Sequence, residues 1–467
     1  MHITFHGAAQ TVTGSKHLIR TSRNKKILLD CGLFQNRGGD NATANRHFGF
    51  EPSEIDYLLL SHAHIDHSGN IPQLVKQGFS GPIYCTEATF DLCSIMLADS
   101  AHIQESDVKY LNKRRRKNGH AAVDALYTLE DVEAALKLFV PVSMDEEVVL
   151  DPHIKVRFTD AGHILGSASI HVICEEPEGL IRLTYSGDVG RYNDIIIGAP
   201  QPFPQSDYII MESTYGDRLH ETIQDAESHL MRIVQETCVE RKGKLIIPAF
   251  SLGRTQEIVY ALNRLHNDGK LPRIPVYVDS PLAISATGIM RKHSETFNPE
   301  IREYMKTDAD PFGFDDLHYI REVESSKALN EIRDACIIIS ASGMLEAGRI
   351  KHHVKNTIQS SENTILIVGY VPPGSLGARL IEGAQEVRIF GVMYPVKARV
   401  EVLDAYSAHG DYKELMRYLS CQQALDVRRL FLVHGEPDAQ LAFKTRLQGM
   451  GFRDVVIPLQ GESFELD

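Results

Sequence analysis

The chain has no apolar run approaching the ~20 residues that a membrane-spanning helix needs. Its N-terminus, MHITFHGAAQTVTGS, has neither the charged start nor the long apolar core of a secretory signal. Cysteine is sparse: seven in 467 residues, standing singly at 31, 85, 93, 174, 238, 336 and 421 with no CxxC pair. That pattern argues against a cysteine zinc cage and a disulfide scaffold and fits reduced thiols. Positive charge is also short, with 49 Lys and Arg against 62 Asp and Glu and a formal net charge of −13. A protein that coats nucleic acid carries a basic footprint, so that class is disfavoured. A local site can still be positive, because a bound metal is often the largest charge present. Neither an internal repeat nor a low-complexity tract occurs. With 43% hydrophobic and 24% charged residues, the chain reads as a cytoplasmic globular protein of two to three domain-sized units.

What is present in quantity is histidine, 21 residues, many beside Gly, Asp or Ser at strand ends. The densest group is SHAHIDHSGN at 61–70, placed directly after the apolar run IDYLLL. In extended backbone, His62 and His64 share one side by period-two alternation, and Asp66 and His67 follow where the chain turns. Imidazole nitrogens and carboxylate oxygens without a cysteine suit zinc in a catalytic rather than a closed structural site.

Up to about residue 215 the sequence reads as short strands in a meander and in buried runs, with Gly14 and Gly32 as punctuation. ALYTLEDVEAALKLF (125–139) reads as a helix opened by a Thr128/Asp131 capping box, with Leu129, Val132, Leu136 and Phe139 on one face. NKRRRKNG (112–119) is the one dense basic run; it reads as a solvated loop or as a phosphate-contacting edge. From about 215 the rhythm becomes strand–helix alternation, beginning with a helix over 222–241, as in a parallel or mixed α/β unit. Ser251 is expected as an N-cap with Arg254 one turn on. Near "SASGML", Ser342 and Gly343 sit where open backbone amides would cradle a phosphate or form an ordinary turn.

Taken together, these motifs resemble the metallo-β-lactamase superfamily. HxHxDH after an apolar strand is joined by LLLDCGLF with Asp30, DAGHILGSA with His163 and YSGDVGR with Asp188, in the expected order. IIMESTYGDR, LDAYSAHGD and FLVHGE then resemble motifs A, B and C of the β-CASP nucleases, supplying Glu212, His409 and His434. GAAQTVTGS and SASGMLEAGR look like the short bacterial and archaeal ribonucleases related to the nuclease of eukaryotic mRNA 3′-end processing. The chain begins directly at the lactamase-like part and stops soon after motif C. It is therefore expected to lack the N-terminal KH domains and the C-terminal extension of some relatives.

The resemblance implies an α/β protein: an αββα metallo-β-lactamase sandwich (1–205 and 395–467) with an inserted β-CASP α/β domain (206–394), and metals in a cleft between the two domains. It implies that His62, His64 and His163 hold one zinc, that Asp66, His67 and His434 hold a second, and that Asp188 bridges them. Two such ions ~3.5–4 Å apart share a hydroxide that attacks the phosphodiester. With two aspartates and that hydroxide, they leave about one positive charge for an incoming phosphate. Asp30 would steady a ligand histidine. His409 would act as general acid with Glu212 orienting it, Asp66 standing with them as catalytic, and Ser342, Gly343 and Arg254 as substrate contacts. The implied activity is zinc-dependent, mainly endonucleolytic hydrolysis of single-stranded RNA, with manganese and a homodimer left open. A DNA nuclease of the same superfamily and a silent RNA-binding scaffold are the rivals. The first is disfavoured because that branch lacks histidine at motif C, the second because none of the seven ligands is missing.

Overall fold

The structure, a computed structural model, describes residues 1–35, 41–220, 223–369, 371, 374–403 and 407–467. Asp404, Ala405 and Tyr406 of LDAYSAHGD, Tyr370 at the end of NTILIVGY, and the expected first residue of the 222–241 helix lie outside that set. The chain divides into two compact units, one made of Met1–Tyr192, Ala199–Leu219 and His409–Asp467, the other of Asn193–Gly198 and His220–Ala408.

The first unit begins with β1 (His2–Phe5), β2 (His17–Arg20), β3 (Lys26–Leu29), β4 (Tyr57–Leu59), β5 (Ile83–Thr86) and β6 (Phe139–Val142). It continues with β7 (Glu147–Asp151), β8 (Ile154–Asp160), β9 (Ala168–Glu176), β10 (Gly179–Tyr185) and β11 (Tyr208–Glu212). The second unit contributes β12 (Lys244–Pro248), β13 (Val276–Val278), β14 (Leu317–Tyr319), β15 (Cys336–Ser340), β16 (Thr364–Ile367), β17 (Glu386–Ile389), β18 (Val392–Pro395) and β19 (Arg399–Val402). The chain then returns to the first unit with β20 (Arg429–Val433), β21 (Val455–Val456) and β22 (Ser463–Glu465).

Two seven-stranded sheets make the sandwich, ordered β22-β1-β2-β3-β4-β5-β6 and β21-β20-β11-β10-β9-β8-β7. The period-two pattern aims Ile154, Val156 and Phe158 of β8, Ile170 and Val172 of β9, and Leu183 and Tyr185 of β10 at Ile3, Phe5, Ile19, Ile27 and Leu29 of the facing sheet. Each such fully buried aliphatic or aromatic side chain contributes about 1.5–3 kcal/mol. The continuous runs YIIME and RLFLV are apolar on both faces because both faces are covered. Ile210, Phe431 and Val433 enter the sandwich core. Ile209, Met211, Leu430 and Leu432 pack outward against Leu415, Leu419, Phe443 and Leu447 of helices Tyr412–Leu419 and Pro437–Gly449. Helices Glu87–Lys117 and Leu129–Leu136 form the layer on the first sheet's side. The unit is an αββα sandwich.

In the second unit, β14-β13-β15-β12-β16-β19 form an all-parallel sheet with β17–β18 as a separate antiparallel hairpin. Its core gathers Ile246, Ile338, Ile365 and Ile367 with Ile350, Val354 and Leu380 from flanking helices.

Four local expectations are corrected. The basic run is not a loop. Asn112–Lys117 end the 31-residue helix, Asn118 caps it and Gly119 stops it at φ 74°. Lys and Arg are good helix formers, and their charge complements the helix C-terminus. The Thr128/Asp131 capping box is present, but the helix ends at Leu136, Leu129 is exposed and Phe139 opens β6. Gly253, at φ 79°, rather than Ser251, precedes helix Arg254–Asn267, because an extra turn intervenes; the Ser251 hydroxyl meets that of Ser280 at 3.1 Å. The helix Ile223–Val234 widens into a π turn over Gln235–Glu240 instead of running on as α.

Candidate metal centre

β4 sits between β3 and β5 in parallel register, with Leu58, Leu59 and Leu60 fully buried. It delivers His62, and then His64 as N-cap of the one-turn helix Ile65–Ser68 that carries Asp66 and His67. Two glycines let neighbouring backbones close on this loop and on the His163 loop. A Cβ on Gly32 would lie 1.6 Å from the Asp66 carbonyl oxygen, and one on Gly190 would lie 1.6 Å from that of Gly162. Asp30 and His434, each at the end of its strand, hold φ of 57° and 49°, a conformation that non-glycine residues rarely adopt. The backbone N–H of Asp30 donates to Leu59 (3.0 Å) and that of His434 to Ala8 (2.7 Å), so the turns are locked.

The side chains converge. His64 Nδ1 lies 3.2 Å from both His62 Nε2 and His163 Nε2. Asp188 Oδ2 is 3.4 Å from His62 Nε2 and 3.5 Å from His163 Nε2, while its Oδ1 is 3.3 Å from His67 Nε2 and 3.5 Å from His434 Nδ1. His434 Nε2 is 3.3 Å from Asp66 Oδ2. Donor atoms of His62, His64, His163 and Asp188 all lie within 4.8 Å of one another, as do those of Asp66, His67 and His434. A tetrahedral zinc with donors at about 2.0–2.1 Å needs them about 3.3–3.4 Å apart. Two buried atoms aimed inward, His67 Nε2 and Asp188 Oδ1, have no hydrogen-bond partner. Such orphaned groups are costly unless something satisfies them. Neutral imidazoles and carboxylates at cation spacing, with orphaned atoms between them, fit metal ions.

Their tautomers are set from behind. Asp30 accepts from the Ser61 N–H, the Ser61 hydroxyl, the Tyr185 hydroxyl and His67 Nδ1, each at 2.7 Å. That leaves His67 Nε2 facing Asp188. The Ser61 oxygen lies 3.0 Å from His62 Nδ1 and the Thr214 hydroxyl 3.0 Å from His434 Nδ1, so His62 turns Nε2 inward and His434 turns Nε2 toward Asp66. These are the partners that orient metal-binding histidines. Ser61, Tyr185 and Thr214 stand inside LSHAH, TYSGD and ESTYG, yet nothing local distinguishes their hydroxyls from any other serine, tyrosine or threonine.

Charge is divided unevenly. Burial, reinforced by neighbouring imidazoles, keeps His62 far below its ordinary pKa, and burial brings His64 down to about 4. Burial opposes ionising Asp66, but the His434 imidazole and the His67 charge outweigh it and bring the carboxyl to about 2. Asp188 is likewise held ionised by His434, His67 and His62 against its burial. Burial also works against a proton on His67, yet Asp188 and Asp30 raise its pKa well above the usual value. Ligand imidazoles bind a cation unprotonated, so a cation here competes with a proton on His67.

Glu212, fully buried at the end of β11, accepts from the Val189 N–H at 2.6 Å and lies 3.2 Å from His409 Nδ1. Burial disfavours charge on His409, but the carboxylates of Glu212 and Asp188 prevail and raise its pKa to about 9. All nine residues, with Asp30, belong to the first unit. Arg254, Ser342 and Gly343 belong to the second. Arg254 is buried and ion-paired with Glu257, the Ser342 hydroxyl lies 3.5 Å from the Ala347 carbonyl, and Gly343 packs on Phe250.

Comparison with known proteins gives three family matches and a set of relatives. The metallo-β-lactamase superfamily matches residues 14–214, the Beta-Casp domain 255–380, and the Zn-dependent metallo-hydrolase RNA specificity domain 393–458. Ribonuclease TTHA0252 of Thermus thermophilus is 35% identical over 442 residues, 95% of each chain. The RNase J-like protein of Methanocaldococcus jannaschii is 31% identical over 444 residues, 94% of each. Transcription termination factor FttA of Methanosarcina mazei is 31% identical over 452 residues, covering 94% of this chain and 67% of that one. The chain belongs to the metallo-β-lactamase superfamily, in its β-CASP branch, and is a metal-dependent hydrolase. No described helix is long and apolar enough to cross a membrane.

Proposed function

We propose that the protein is a zinc-dependent ribonuclease that cleaves single-stranded RNA internally. The observation that carries the reading is the pair of adjoining donor clusters, one containing Asp188 and the other within 3.3 Å of its Oδ1 at His67, with His409 and Glu212 at their edge. His62, His64 and His163 would hold one zinc, Asp66, His67 and His434 the other, and Asp188 both. Bound there, the pair supplies positive charge for a phosphodiester and lowers the pKa of the attacking water.

The rest falls to the chain's own residues. Glu212 holds the His409 ring by Nδ1 and keeps it protonated at neutral pH, so Nε2 carries the proton for the departing ribose oxygen. The His163 ring, 4.5 Å from that of His409 between centroids, limits its swing. The buried floor of His62, His67 and Asp188 excludes bulk water. Ser342 and Gly343 enter the proposal as contacts to the RNA backbone; Arg254 joins them only by leaving Glu257. The ribonuclease and RNA-specificity names among the relatives and matched families support RNA over DNA.

The test is incubation with end-labelled single-stranded RNA and its DNA counterpart. Internal fragments that disappear with a chelator and return with zinc are expected. Equal turnover of DNA would sink the RNA assignment, and a ladder of mononucleotides from one end would sink internal cleavage.

A further inference from the structure

The helix Glu87–Lys117 has two unlike halves. Its first half is core, burying Ala88, Leu92, Cys93, Met96, Leu97 and Ala101. After Ala101 it buries nothing for sixteen residues. It is held there by a two-way bracket between the Asn112 amide and the Val123 backbone (2.8 and 2.9 Å) and by Arg115 Nε donating to the Ala121 carbonyl at 2.7 Å. A helix that outlasts its core contacts by four turns is not explained by packing.

Its outer end is cationic. Lys109, Lys113, Arg114, Arg116 and Lys117 are exposed, and none has a carboxylate within ion-pair reach among the described residues. Lys109, Lys113 and Lys117 repeat at i, i+4, while Lys113/Arg116 and Arg114/Lys117 repeat at i, i+3. Each such like-charge pair costs a few tenths of a kcal/mol. Complementing the helix dipole needs one or two charges, not five. Tyr110 is 75% exposed on the same stripe as Lys113, Arg114 and Lys117, at the i, i+3, i+4, i+7 spacing of one helix face. An open aromatic ring among unpaired cations is the arrangement that stacks a base and contacts its flanking phosphates. An anionic membrane fits less well, because on the helix side that carries the exposed Ile103, Tyr110 and Leu111, Ser106 and the acidic Asp107 stand between Ile103 and Tyr110 and break the apolar face.

The other end of this helix starts at the metal centre. Its N-cap Thr86 and then Thr89 bond the Gly166 carbonyl, at 2.7 and 2.9 Å, on the loop that carries His163. At 1.5 Å per residue the basic end stands about 45 Å along the axis from there, a span of about a dozen nucleotides at a stacked rise of roughly 3.4 Å.

We infer that the outer half of this helix is a distal anchor for single-stranded RNA, holding a substrate strand remote from the cleaved bond. The inference rests on the ribonuclease reading and names where its longer substrates are held. The anchor makes turnover depend on length. RNAs of about 40 nucleotides reach it and RNAs of about 6 do not, given the roughly 3.4 Å rise.

The experiment compares wild type with K113Q/R114Q/R116Q/K117Q and with Y110A. The fourfold variant is expected to lower the long-to-short ratio of kcat/KM about tenfold, through KM. It is also expected to flatten the slope of log binding constant against log salt by about 2.8, at roughly 0.7 per phosphate contact on a single strand. Y110A lowers long-RNA affinity about tenfold, one stacked base's worth, and leaves the salt slope intact. R114K/R116K, which keeps the charge, retains the slope and serves as the control for folding. A length ratio and salt slope equal to wild type in the fourfold variant overturn the anchor, while cleavage itself would still support the ribonuclease reading. Arm-dependent RNA binding measured in a protein that cleaves no RNA would sustain the anchor and sink that reading. Arm-dependent capture on phosphatidylserine vesicles, with an unaltered RNA salt slope, would assign the patch to a membrane and overturn the anchor.

Discussion

Each unit contains a buried cluster of histidine and aspartate, and the two clusters have opposite characters. In the second unit, Asp279 accepts from the Ser326 hydroxyl (2.5 Å), His353 Nε2 (2.7 Å) and Arg349 Nη1 (2.6 Å), while His353 Nδ1 meets the Asn330 side-chain oxygen at 3.1 Å. Burial raises the Asp279 pKa, and these partners outweigh it and hold the carboxyl ionised. No buried side-chain nitrogen or oxygen of this group is left without a partner, so the cluster is a cross-brace. In the first unit the same residue types point their last atoms at one another, and His67 Nε2 and Asp188 Oδ1 are left over. What separates a site from a brace is unsatisfied valence aimed at a common point, not burial or composition.

That contrast is easiest to break with its most sensitive member. Asp188→Asn is expected to lower RNA turnover on the order of 10⁴-fold, the scale seen when one member of a concerted catalytic group is lost, and to empty the metal sites as read by elemental analysis. Full metal content with full activity would remove Asp188 from the centre. His409→Ala is expected to slow turnover 10²–10⁴-fold, the range for general acid catalysis, with metal content kept. If metal leaves with the imidazole, His409 is a ligand instead. Asp279→Ala should do the reverse of both, costing about 3–5 kcal/mol in denaturant unfolding by stranding the buried charges around it, while metal content holds. An Asp279→Ala protein as stable as wild type would erase the distinction.

Smaller effects sharpen it. Asp30→Asn is expected to weaken metal affinity about 10–100-fold, the usual cost of losing a carboxylate behind a ligand histidine, readable by competition with a chelating dye. In chelated protein the His409 pKa of about 9 lies above its ordinary 6.5. The stability it contributes is therefore complete below pH 6.5 and lost as pH rises toward 9. Unfolding free energy should fall by up to about 1.4 kcal/mol per pH unit for such a group. The window is pH 6.5–8, where His67, also raised, adds a fall of the same sign. Above it Lys16, whose pKa burial brings down to about 8, contributes with the opposite sign. In the same window, zinc addition should release protons to an indicator dye, since His67 must give one up. A flat stability profile with no proton release would contradict the charge division at the centre.

Much of this was legible before any coordinates. Local chemistry declares itself locally: HxHxDH on an apolar strand, a capping box at Thr128, alternation in β8 to β10 and double-sided apolar runs in β11 and β20 are all carried by neighbouring residues. Ordered motifs extended that reach to residues such as Asp66 and His434, 368 positions apart and 3.3 Å apart in space. Errors came where a local pattern has two readings. Five cations in a row look like a solvated loop, yet they propagate a helix already nucleated at Thr86. Ser251 looks like an N-cap until Gly253 inserts its turn.

From its residues alone the chain determined which side chains are able to bind a cation, and the strands and turns that present them, because valence and backbone preference are properties of short segments. Only tertiary structure decided which of those side chains keep an atom unspent. Asp279 and Asp188 are the same residue in similar strand-end settings. Whether a carboxylate becomes a brace or a ligand depends on what the rest of the fold brings within about 3 Å of it, the reach of a hydrogen bond.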